Sequence, residues 1–377
     1  MQFFFPPTTL PPETKALRTE VRAFLDEALD GVSVAERAAT WDGFDPDFTR
    51  AVGARGWIGM TWPKAYGGHE RTALERYAML EEMLAAGAPV AAHWFADRQS
   101  GPQLLRYGSE EQRRELLPRI VRGEIYFAVG ISEPDTGSDA ASVRARAKRV
   151  DRGWVLNGTK IWSTNAHRCH YMIALVRTSG EQSDRHRGLS QVLIDLASPG
   201  ITIRPIRDIA GREHFNEVVF EDVRLPASAV IGKEGEGWSQ VMAELAFERS
   251  GPERYLSSLQ SLIQLIDHGG DSERSMVAIG RAVAHLATLR QMSKSIAVQL
   301  QAGHAPNLEA ALVKDLGTTF EQSLPNILHE ILGPEPNEEG TELEKVQARL
   351  LQLAPCFSLR GGTREILRGI IAKGLDL

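Results

Sequence analysis

Cysteine, excess positive charge and long apolar runs are all scarce in this chain of 377 residues. Its two cysteines, Cys169 and Cys356, are too few for a disulfide framework or a cysteine-based metal site, and we expect both to be inert packing residues. The formal net charge is -6, so no general positive field attracts nucleic acid or an anionic membrane. An anionic ligand would have to be bound by local donors.

No apolar run approaches the roughly 18 residues that a membrane-spanning helix requires. The opening MQFFFPP has a short apolar stretch and no basic residue, which is not the pattern of a secretory signal. We therefore predict a cytoplasmic protein with neither a membrane nor a nucleic acid as partner. The composition, with 24% charged and 42% hydrophobic residues, is ordinary for a globular protein, and the length suits two or three packed subdomains.

The chain divides into three segments by hydrophobic periodicity, and no internal repeat is evident. Apolar residues first recur at spacings of three and four, then alternate with polar ones, and then return to the helical spacing. We therefore predict an α+β fold. Its domains would be an N-terminal helical domain (1–124), a middle antiparallel β-barrel or sandwich (125–235) and a C-terminal four-helix bundle (236–377).

A loop rich in small residues and backbone donors follows the first predicted strand. It reads SEPDTGSD, from Ser132 to Asp139. Gly137 and Ser138 would let the backbone approach an anionic ligand closely, because glycine has no side chain and serine adds a hydroxyl donor.

A second segment, NGTKIWSTN, begins about twenty residues after this loop. Asn157-Gly158 is a strong signal for a two-residue hairpin turn between strand-forming residues. Trp162, Ser163 and Thr164 would then lie at the far end of a rigid hairpin. The two segments together suit a flat, polar-edged cofactor that carries phosphate, whereas the loop alone would fit a turn between two surface strands.

Four segments in this order resemble the signatures of the acyl-CoA dehydrogenase family. They are YFAVGISEPDTGSD, LNGTKIWSTNAH, FNEVVFEDVRLPASAVIGKEGEGW and GGTREILRGIIA. The upstream WPKAYGG and LLRYGSEEQRRELLPRIVRGE are similar to the family's N-terminal helical part, so the likeness covers nearly the whole chain. The resemblance implies FAD as cofactor, an acyl-CoA thioester as substrate, and electron-transfer flavoprotein or a similar acceptor.

The resemblance also implies which residues contact the flavin. Ile131 and Ser132 would contact the edge of the ring through backbone and hydroxyl, and Trp162 would pack on it, although Trp162 could instead be a plain core aromatic. Gly137 and Ser138 would lie between the flavin and the CoA arm. The full predicted cofactor set is Val129, Ile131, Ser132, Gly137, Ser138, Trp162, Ser163, Thr164, Gly362, Thr363 and Glu365.

The catalytic base is expected at Glu248. Many family members carry a glutamate directly before the C-terminal Gly-Thr, where this chain has Gly361. A minority, including branched-chain and long-chain types, carry it on a helix of the C-terminal bundle directly before an arginine, as in Glu248-Arg249. Glu244 shares the helix face of Glu248, so geometry alone does not choose between them. The other reading of Glu248 is an ordinary solvated helix residue.

The neighbours of the predicted base have implied roles of their own. An apolar pocket would raise the pKa of the working carboxyl, and Arg249 would tune it. Arg249 is predicted to be a catalytic and substrate-binding residue, and Ser138 is also predicted to bind substrate. Alternatively, the Arg249 guanidinium orders the C-terminal segment. The backbone N–H of Gly361 would still polarise the thioester carbonyl.

Two departures from the family pattern concern the adenine half of FAD. The Arg-x-x-Phe-Gly element by which homotetrameric members reach a neighbouring subunit's cofactor is missing from residues 265–280. The usual Gln-x-x-Gly-Gly turn is replaced by a segment with Glu330 and Gly333-Pro334, which adds a negative charge and removes a donor. Heteromeric dehydrogenases of steroid side chains show similar losses. A hetero-oligomer with a related subunit and a self-sufficient homo-oligomer therefore both stay open.

Three functions fit these patterns. The first is an FAD-dependent acyl-CoA dehydrogenase for a bulky, branched or ring-bearing acyl chain. The second is a flavin monooxygenase on the same fold, which needs no α-proton base, so Glu248-Arg249 argues against it. The third is a non-catalytic flavin subunit or a nucleic-acid-binding relative. We expect a nucleic-acid-binding relative to carry a basic C-terminal extension, and its absence after Leu377 argues against that form.

Overall fold

The computed structural model describes residues 3–377, with the side chains of residues 244–248 outside the description. The chain forms two compact units, each assembled from segments that are distant in sequence. The first unit contains residues 3–48, 71–91 and 245–377, and the second contains residues 49–70 and 92–244.

Helices occupy both ends of the chain. Those before the sheet are α1 (Thr14–Ala28), α2 (Val34–Arg37), α3 (Pro46–Ala54), α4 (Ala73–Ala86), α5 (Ala91–Phe95), α6 (Gly101–Tyr107) and α7 (Glu110–Val121). Those after it are α8 (Gly237–Ser250), α9 (Leu259–His268), α10 (Glu273–Gln301), α11 (Asn307–Leu332), α12 (Glu342–Phe357) and α13 (Arg364–Gly374). A π-helical turn, Ala96–Ser100, joins α5 to α6.

Sequence signals account for the ends and faces of these helices. Thr72 and Glu75 form a reciprocal capping box at the start of α4, which satisfies backbone donors that the first turn leaves without partners. The apolar face of α1, including Leu17 and Val21, is buried as the spacing predicts. Within the described residues, no helix is both long enough and apolar enough to cross a membrane.

The second unit is built around a sheet of seven strands within the described chain. They are β1 (Phe127–Gly130), β2 (Arg146–Val150), β3 (Gly153–Lys160), β4 (Tyr171–Arg177), β5 (Leu189–Asp195), β6 (Ile201–Ile206) and β7 (Phe215–Leu225). Their order is β1-β4-β2-β3-β7-β6, with β5 also paired to β4. The pairs are antiparallel except where β1 and one residue of β2 lie parallel to β4.

One turn prediction is wrong. Asn157 and Gly158 do not form a hairpin turn, because both lie inside β3, where the register with β7 shifts at a bulge. The glycine is needed for a different reason. Its φ is 136°, and a Cβ there would lie 2.6 Å from the Cα of Ala145. The hairpin turn lies instead between β2 and β3, at Asp151-Arg152, where Val150 pairs with Gly153.

Candidate functional site

The SEPDTGSD loop begins two residues after β1 ends at Gly130. Glu133 and Thr136 exchange backbone hydrogen bonds of 2.8 and 2.9 Å, which close a tight turn. The carbonyl of Ser132 accepts a bond of 3.0 Å from the N–H of Ile161, just beyond β3. The loop and the segment that follows β3 therefore lie side by side, as the predicted cofactor site requires.

Gly137 and Ser138 are exposed on this loop. No atom lies within 4 Å of the position that a Cβ would take on Gly137. The chain's own packing therefore does not demand glycine at this point, and the space beside the backbone is available to a ligand. The next residue, Asp139, is held by Ser142 and by Arg185, whose nitrogen lies 2.6 Å from its carboxylate.

Trp162 lies beyond the end of β3 with its ring largely in solvent. The side chain is 55% exposed, which excludes the plain core aromatic. Its φ of 61° is unusual for a residue with a Cβ and costs about 1 to 3 kcal/mol unless the surroundings compensate. The ring packs edge-on against Phe215, with centroids 5.8 Å apart. Backbone strain that presents a large aromatic surface is typical of a ligand site.

Ser163 and Thr164 continue this segment toward Asn216 of β7. The N–H of Ser163 donates to the carbonyl of Asn216 at 3.1 Å, and the Asn216 amide donates back at 2.9 Å. Ser163 is 1% exposed, and among the described residues its hydroxyl has no hydrogen-bond partner. Buried hydroxyls are normally bonded. A partnerless hydroxyl beside an exposed indole fits a flat aromatic cofactor with polar edge atoms.

Val129, the remaining predicted cofactor residue of this unit, pairs with Ile173 across β1 and β4 and is partly accessible. The second unit therefore brings Ile131 and Ser132, after β1, beside the segment that continues from β3 into Trp162, Ser163 and Thr164. Among the described residues no group of three or more His, Cys, Asp or Glu side chains could hold a metal ion.

The first unit places Arg249 against the predicted oxyanion turn. Arg249, near the end of α8, is 5% exposed, and its Nε donates to the carbonyl of Gly361 at 2.9 Å. A Cβ on Gly362 would lie 3.2 Å from the same guanidinium. Gly361 and Gly362 have φ values of 68° and 97°, so two successive residues adopt conformations that favour glycine.

Sequence reasoning missed a second arginine that holds this turn. Arg360 donates to the hydroxyl of Ser257 at 2.9 Å and lies 3.5 Å from the carboxylate of Glu321. Its guanidinium stacks over Trp41, 3.9 Å from the ring centroid. Burial raises the pKa of Glu321, and the positive charge of Arg360 partly opposes this rise. No signal in the sequence pairs residues this distant, although Arg360 directly precedes the Gly-Gly-Thr motif.

Thr363 and Glu365 lie at the start of α13. Thr363 is the N-cap, and its hydroxyl accepts the N–H of Ile366 at 3.5 Å. Glu365 is exposed in the first turn, where its own backbone N–H and the Thr363 hydroxyl lower the pKa of its carboxyl. These two residues cap a helix whose N-terminal N–H groups favour negative charge. Their predicted contacts with the cofactor stay a prediction.

The two glutamates considered for the base, Glu244 and Glu248, have side chains outside the described residues. The backbones of Glu244 and Glu248 lie in α8, and Glu248 directly precedes the buried Arg249. The altered Glu330 to Pro334 segment forms the end of α11. Gly333 has a left-handed conformation after Leu332, and Glu330 is exposed.

Family models match most of the chain in three consecutive parts. They are described as the N-terminal domain (residues 11–124), the middle domain (128–223) and the C-terminal domain (270–375) of acyl-CoA dehydrogenase. FAD is the cofactor of this family of flavoproteins.

Curated relatives match over nearly their full length. Acyl-CoA dehydrogenase IpdE1 of Mycobacterium tuberculosis is 32% identical, over 96% of this chain and 97% of the relative. Mitochondrial isovaleryl-CoA dehydrogenase of Pongo abelii is 28% identical, over 97% of this chain and 89% of the relative.

Solved structures have the same fold over almost the whole chain. One described as "Tcur3481-Tcur3483 steroid ACAD" has a TM-score of 0.87 and 26% identity, covering 98% of this chain and 99% of that one. The ChsE4-ChsE5 complex from Mycobacterium tuberculosis has a TM-score of 0.82 and 28% identity, covering 98% of both chains.

Proposed function

Because the chain belongs to the acyl-CoA dehydrogenase family, we propose that it uses FAD to dehydrogenate an acyl-CoA thioester between its α- and β-carbons, with Glu248 as the base. The observation that carries the cofactor part is the pairing of an exposed, strained Trp162 with a buried Ser163 hydroxyl that has no described partner. We also propose that the chain is organised as three domains, residues 1–124, 125–235 and 236–377.

The residues of the second unit would hold the isoalloxazine ring. Trp162 would pack on the ring, while Ser132, Ser163 and Thr164 would offer donors to its polar edge. The space beside Gly137 would admit the thioester end of the CoA arm, with Ser138 as a donor. When bound, FAD accepts the hydride that leaves the β-carbon of the substrate.

The residues of the first unit would handle the proton and the thioester oxygen. The Glu248 carboxylate would take the α-proton, and the electron pair of that C–H bond would become part of the new carbon–carbon double bond as the β-hydride leaves. The N–H of Gly361 would stabilise negative charge on the thioester oxygen. The Arg249 contact with the Gly361 carbonyl supports this role, because it fixes the turn that presents the donor.

The acyl chain is proposed to be bulky, branched or ring-bearing. Support comes from the similar proteins, which include an isovaleryl-CoA dehydrogenase and a structure described as a steroid ACAD. The position of the proposed base also supports a bulky chain. With the glutamate on α8 and not at residue 361, the Gly361-Gly362 turn has no side chains and takes less space from the acyl chain.

Anaerobic titration with a panel of acyl-CoA thioesters tests the proposed function. We expect the visible flavin absorbance to be lost stoichiometrically with at least one branched or ring-bearing thioester, and an enoyl-CoA to form. A flavin-loaded protein that no thioester reduces would overturn the dehydrogenase assignment. Oxygen-dependent hydroxylation by flavin reduced beforehand would favour the monooxygenase.

We further propose that the chain works beside a related but unlike subunit. Glu330 and the proline after Gly333 replace residues that the family uses beside FAD, and a carboxylate there would repel a pyrophosphate. Among the similar structures, one is a ChsE4-ChsE5 complex and another pairs Tcur3481 with Tcur3483.

A further inference from the structure

A buried ion pair joins the SEPDTGSD loop to the end of β3. Lys160, the last residue of β3, is 0% exposed, and its Nζ lies 2.7 Å from the carboxylate of Glu133. Glu133 is itself 7% exposed. Burying two charges costs several kcal/mol for each ion, so a pair at this place needs a reason beyond the packing of the sheet.

The carboxylate of Glu133 accepts hydrogen bonds from three donors. Besides Lys160, it accepts the backbone N–H groups of Arg144 and Ala145, at 2.7 and 2.9 Å. Three donors on one carboxylate fix its position. The same residue opens the tight turn to Thr136, so its side chain attaches the turn to the sheet.

Lys160 makes a second bond that reaches the predicted flavin edge. Its Nζ donates to the carbonyl of Ile131 at 3.1 Å. Gly130 packs closely against Met172 and the aliphatic part of Lys160. A Cβ at this residue would lie 2.6 Å from the sulfur of Met172 and 3.3 Å from the Cγ of Lys160. Burial lowers the pKa of Lys160, and Glu133 opposes that shift, but the amine donates to the carbonyl in either protonation state.

The bond to Ile131 sets the direction of the next N–H. The described chain has no cis peptide bond, and in a planar trans peptide the C=O and N–H point in opposite directions. With the Ile131 carbonyl turned down onto Lys160, the N–H of Ser132 is turned away from the buried amine. The Ser132 carbonyl is held in turn by the N–H of Ile161.

We propose that Lys160 and Glu133 are a positioning pair that orients the Ile131–Ser132 peptide so that its N–H faces the flavin. This rests on the proposed function, which puts Ile131 and Ser132 at the edge of the ring. Neither residue touches the flavin. The pair acts through the peptide that it orients. This role explains why two charges are buried where the loop of small residues meets the sheet.

Two variants that differ by one donor test the pair, in the enzyme as isolated with any natural partner. Glu133→Gln keeps Lys160 and its bond to the Ile131 carbonyl. Lys160→Met/Glu133→Gln removes that donor and leaves no unpaired buried charge. Ile194→Ala, in the buried core of the same sheet, is the control for lost stability. The dissociation constant of FAD and the visible spectrum of the bound flavin are measured for each.

We expect Ile194→Ala to bind FAD close to the wild type with an unchanged flavin spectrum. Glu133→Gln should lie between the wild type and the double variant, because the amide leaves Lys160 without its opposite charge but keeps the bond from Lys160 to the Ile131 carbonyl. The double variant should bind FAD about 10-fold more weakly or worse, because the N–H of Ser132 is no longer oriented to donate to the flavin. The flavin that remains bound should have a shifted visible band. A purely structural pair would lower the melting temperature without moving that band.

A double variant whose FAD affinity and flavin spectrum match those of Ile194→Ala would overturn the inference. So would a double variant that does not fold while Ile194→Ala does, because the pair would then serve the fold and not the loop. Failure of the proposed function would look different, since the wild-type protein would then bind no flavin or would bind flavin that no acyl-CoA thioester reduces.

Discussion

Arg249 is nearly fully buried and bonds the carbonyl of Gly361. Of the two roles that the sequence left open for it, this contact supports the guanidinium that orders the C-terminal segment, because an arginine already bonded to a backbone carbonyl has fewer donors to offer a substrate. It also connects the two places where the family puts its base. Residue 248 precedes Arg249 on α8, and residue 361 is the one that Arg249 holds.

Glu248→Gln should retain flavin but lose turnover. An amide of similar size cannot take the α-proton, and loss of a general base typically costs on the order of 100 to 10,000-fold in rate. Rapid mixing with substrate, followed by the visible flavin absorbance, measures the step directly. Glu244→Gln is the matched control on the same face of α8. If Glu244→Gln stopped flavin reduction and Glu248→Gln did not, the base would be Glu244.

At the scale of elements, β3 shows how a correct motif can be assigned the wrong local structure. Asn-Gly is the commonest two-residue hairpin signal, yet here Asn157 and Asp222 bond each other across a bulge at 2.9 and 3.0 Å. The glycine serves close approach to Ala145. The sequence indicates that a residue without a Cβ is needed at residue 158. The reason, close approach to Ala145, depends on a neighbouring part of the sheet and is not evident from the local sequence.

Gly158→Ala should therefore destabilise the sheet. The new Cβ would meet Ala145 at 2.6 Å with φ at 136°, and strain of this kind costs about 1 to 3 kcal/mol. Thermal unfolding measures the loss. Gly137→Ala is the comparison, since no atom lies within 4 Å of its new Cβ, and its melting temperature should stay near that of the wild type. Equal melting temperatures for both variants would contradict the bulge.

The turn before α13 allows a test of where the base can be placed. Glu248→Gly should be nearly inactive, and adding Gly361→Glu should restore part of the activity, because the two family positions approach the same α-carbon. Recovery should be incomplete for two reasons. Proton transfer is sensitive to displacements of about 1 Å, and Glu at residue 361 must adopt a φ of 68°, which disfavours residues with a Cβ.

Turnover of the single and double variants, compared across an acyl-CoA series at equal flavin content, measures this recovery. The double variant should also prefer different acyl chains, since a side chain added at residue 361 takes space and its loss at residue 248 frees some. A double variant no better than Glu248→Gly on every substrate, with flavin bound, would show that Gly361 does not face the α-carbon.

At the scale of the whole molecule, the sequence predicted the helical, β and helical order and the family, because ordered motifs survive in the chain as short local patterns. The SEPDTGSD loop and Trp162 were singled out in the same way. The Lys160–Glu133 pair and the Arg360–Glu321 contact were not, because each joins residues that only tertiary packing brings together. The two compact units also combine segments from both ends of the chain, which periodicity along the chain cannot indicate.

The flavin content of this chain should depend on the subunit with which it assembles. Expressed alone, the chain should bind substantially less than one FAD per subunit. Glu330 would repel the pyrophosphate and Pro334 lacks a backbone donor, and residues 265–280 lack the Phe-Gly element that the family resemblance would lead us to expect beside a neighbour's cofactor. Co-expression with a related dehydrogenase chain encoded nearby should restore flavin. The ratio of flavin absorbance to protein in the purified assembly gives the occupancy, and its mass gives the composition. Glu330→Gln should raise the occupancy of the chain expressed alone, since it removes a charge that repels pyrophosphate. A stable homo-oligomer with full flavin occupancy would rule out dependence on an unlike partner.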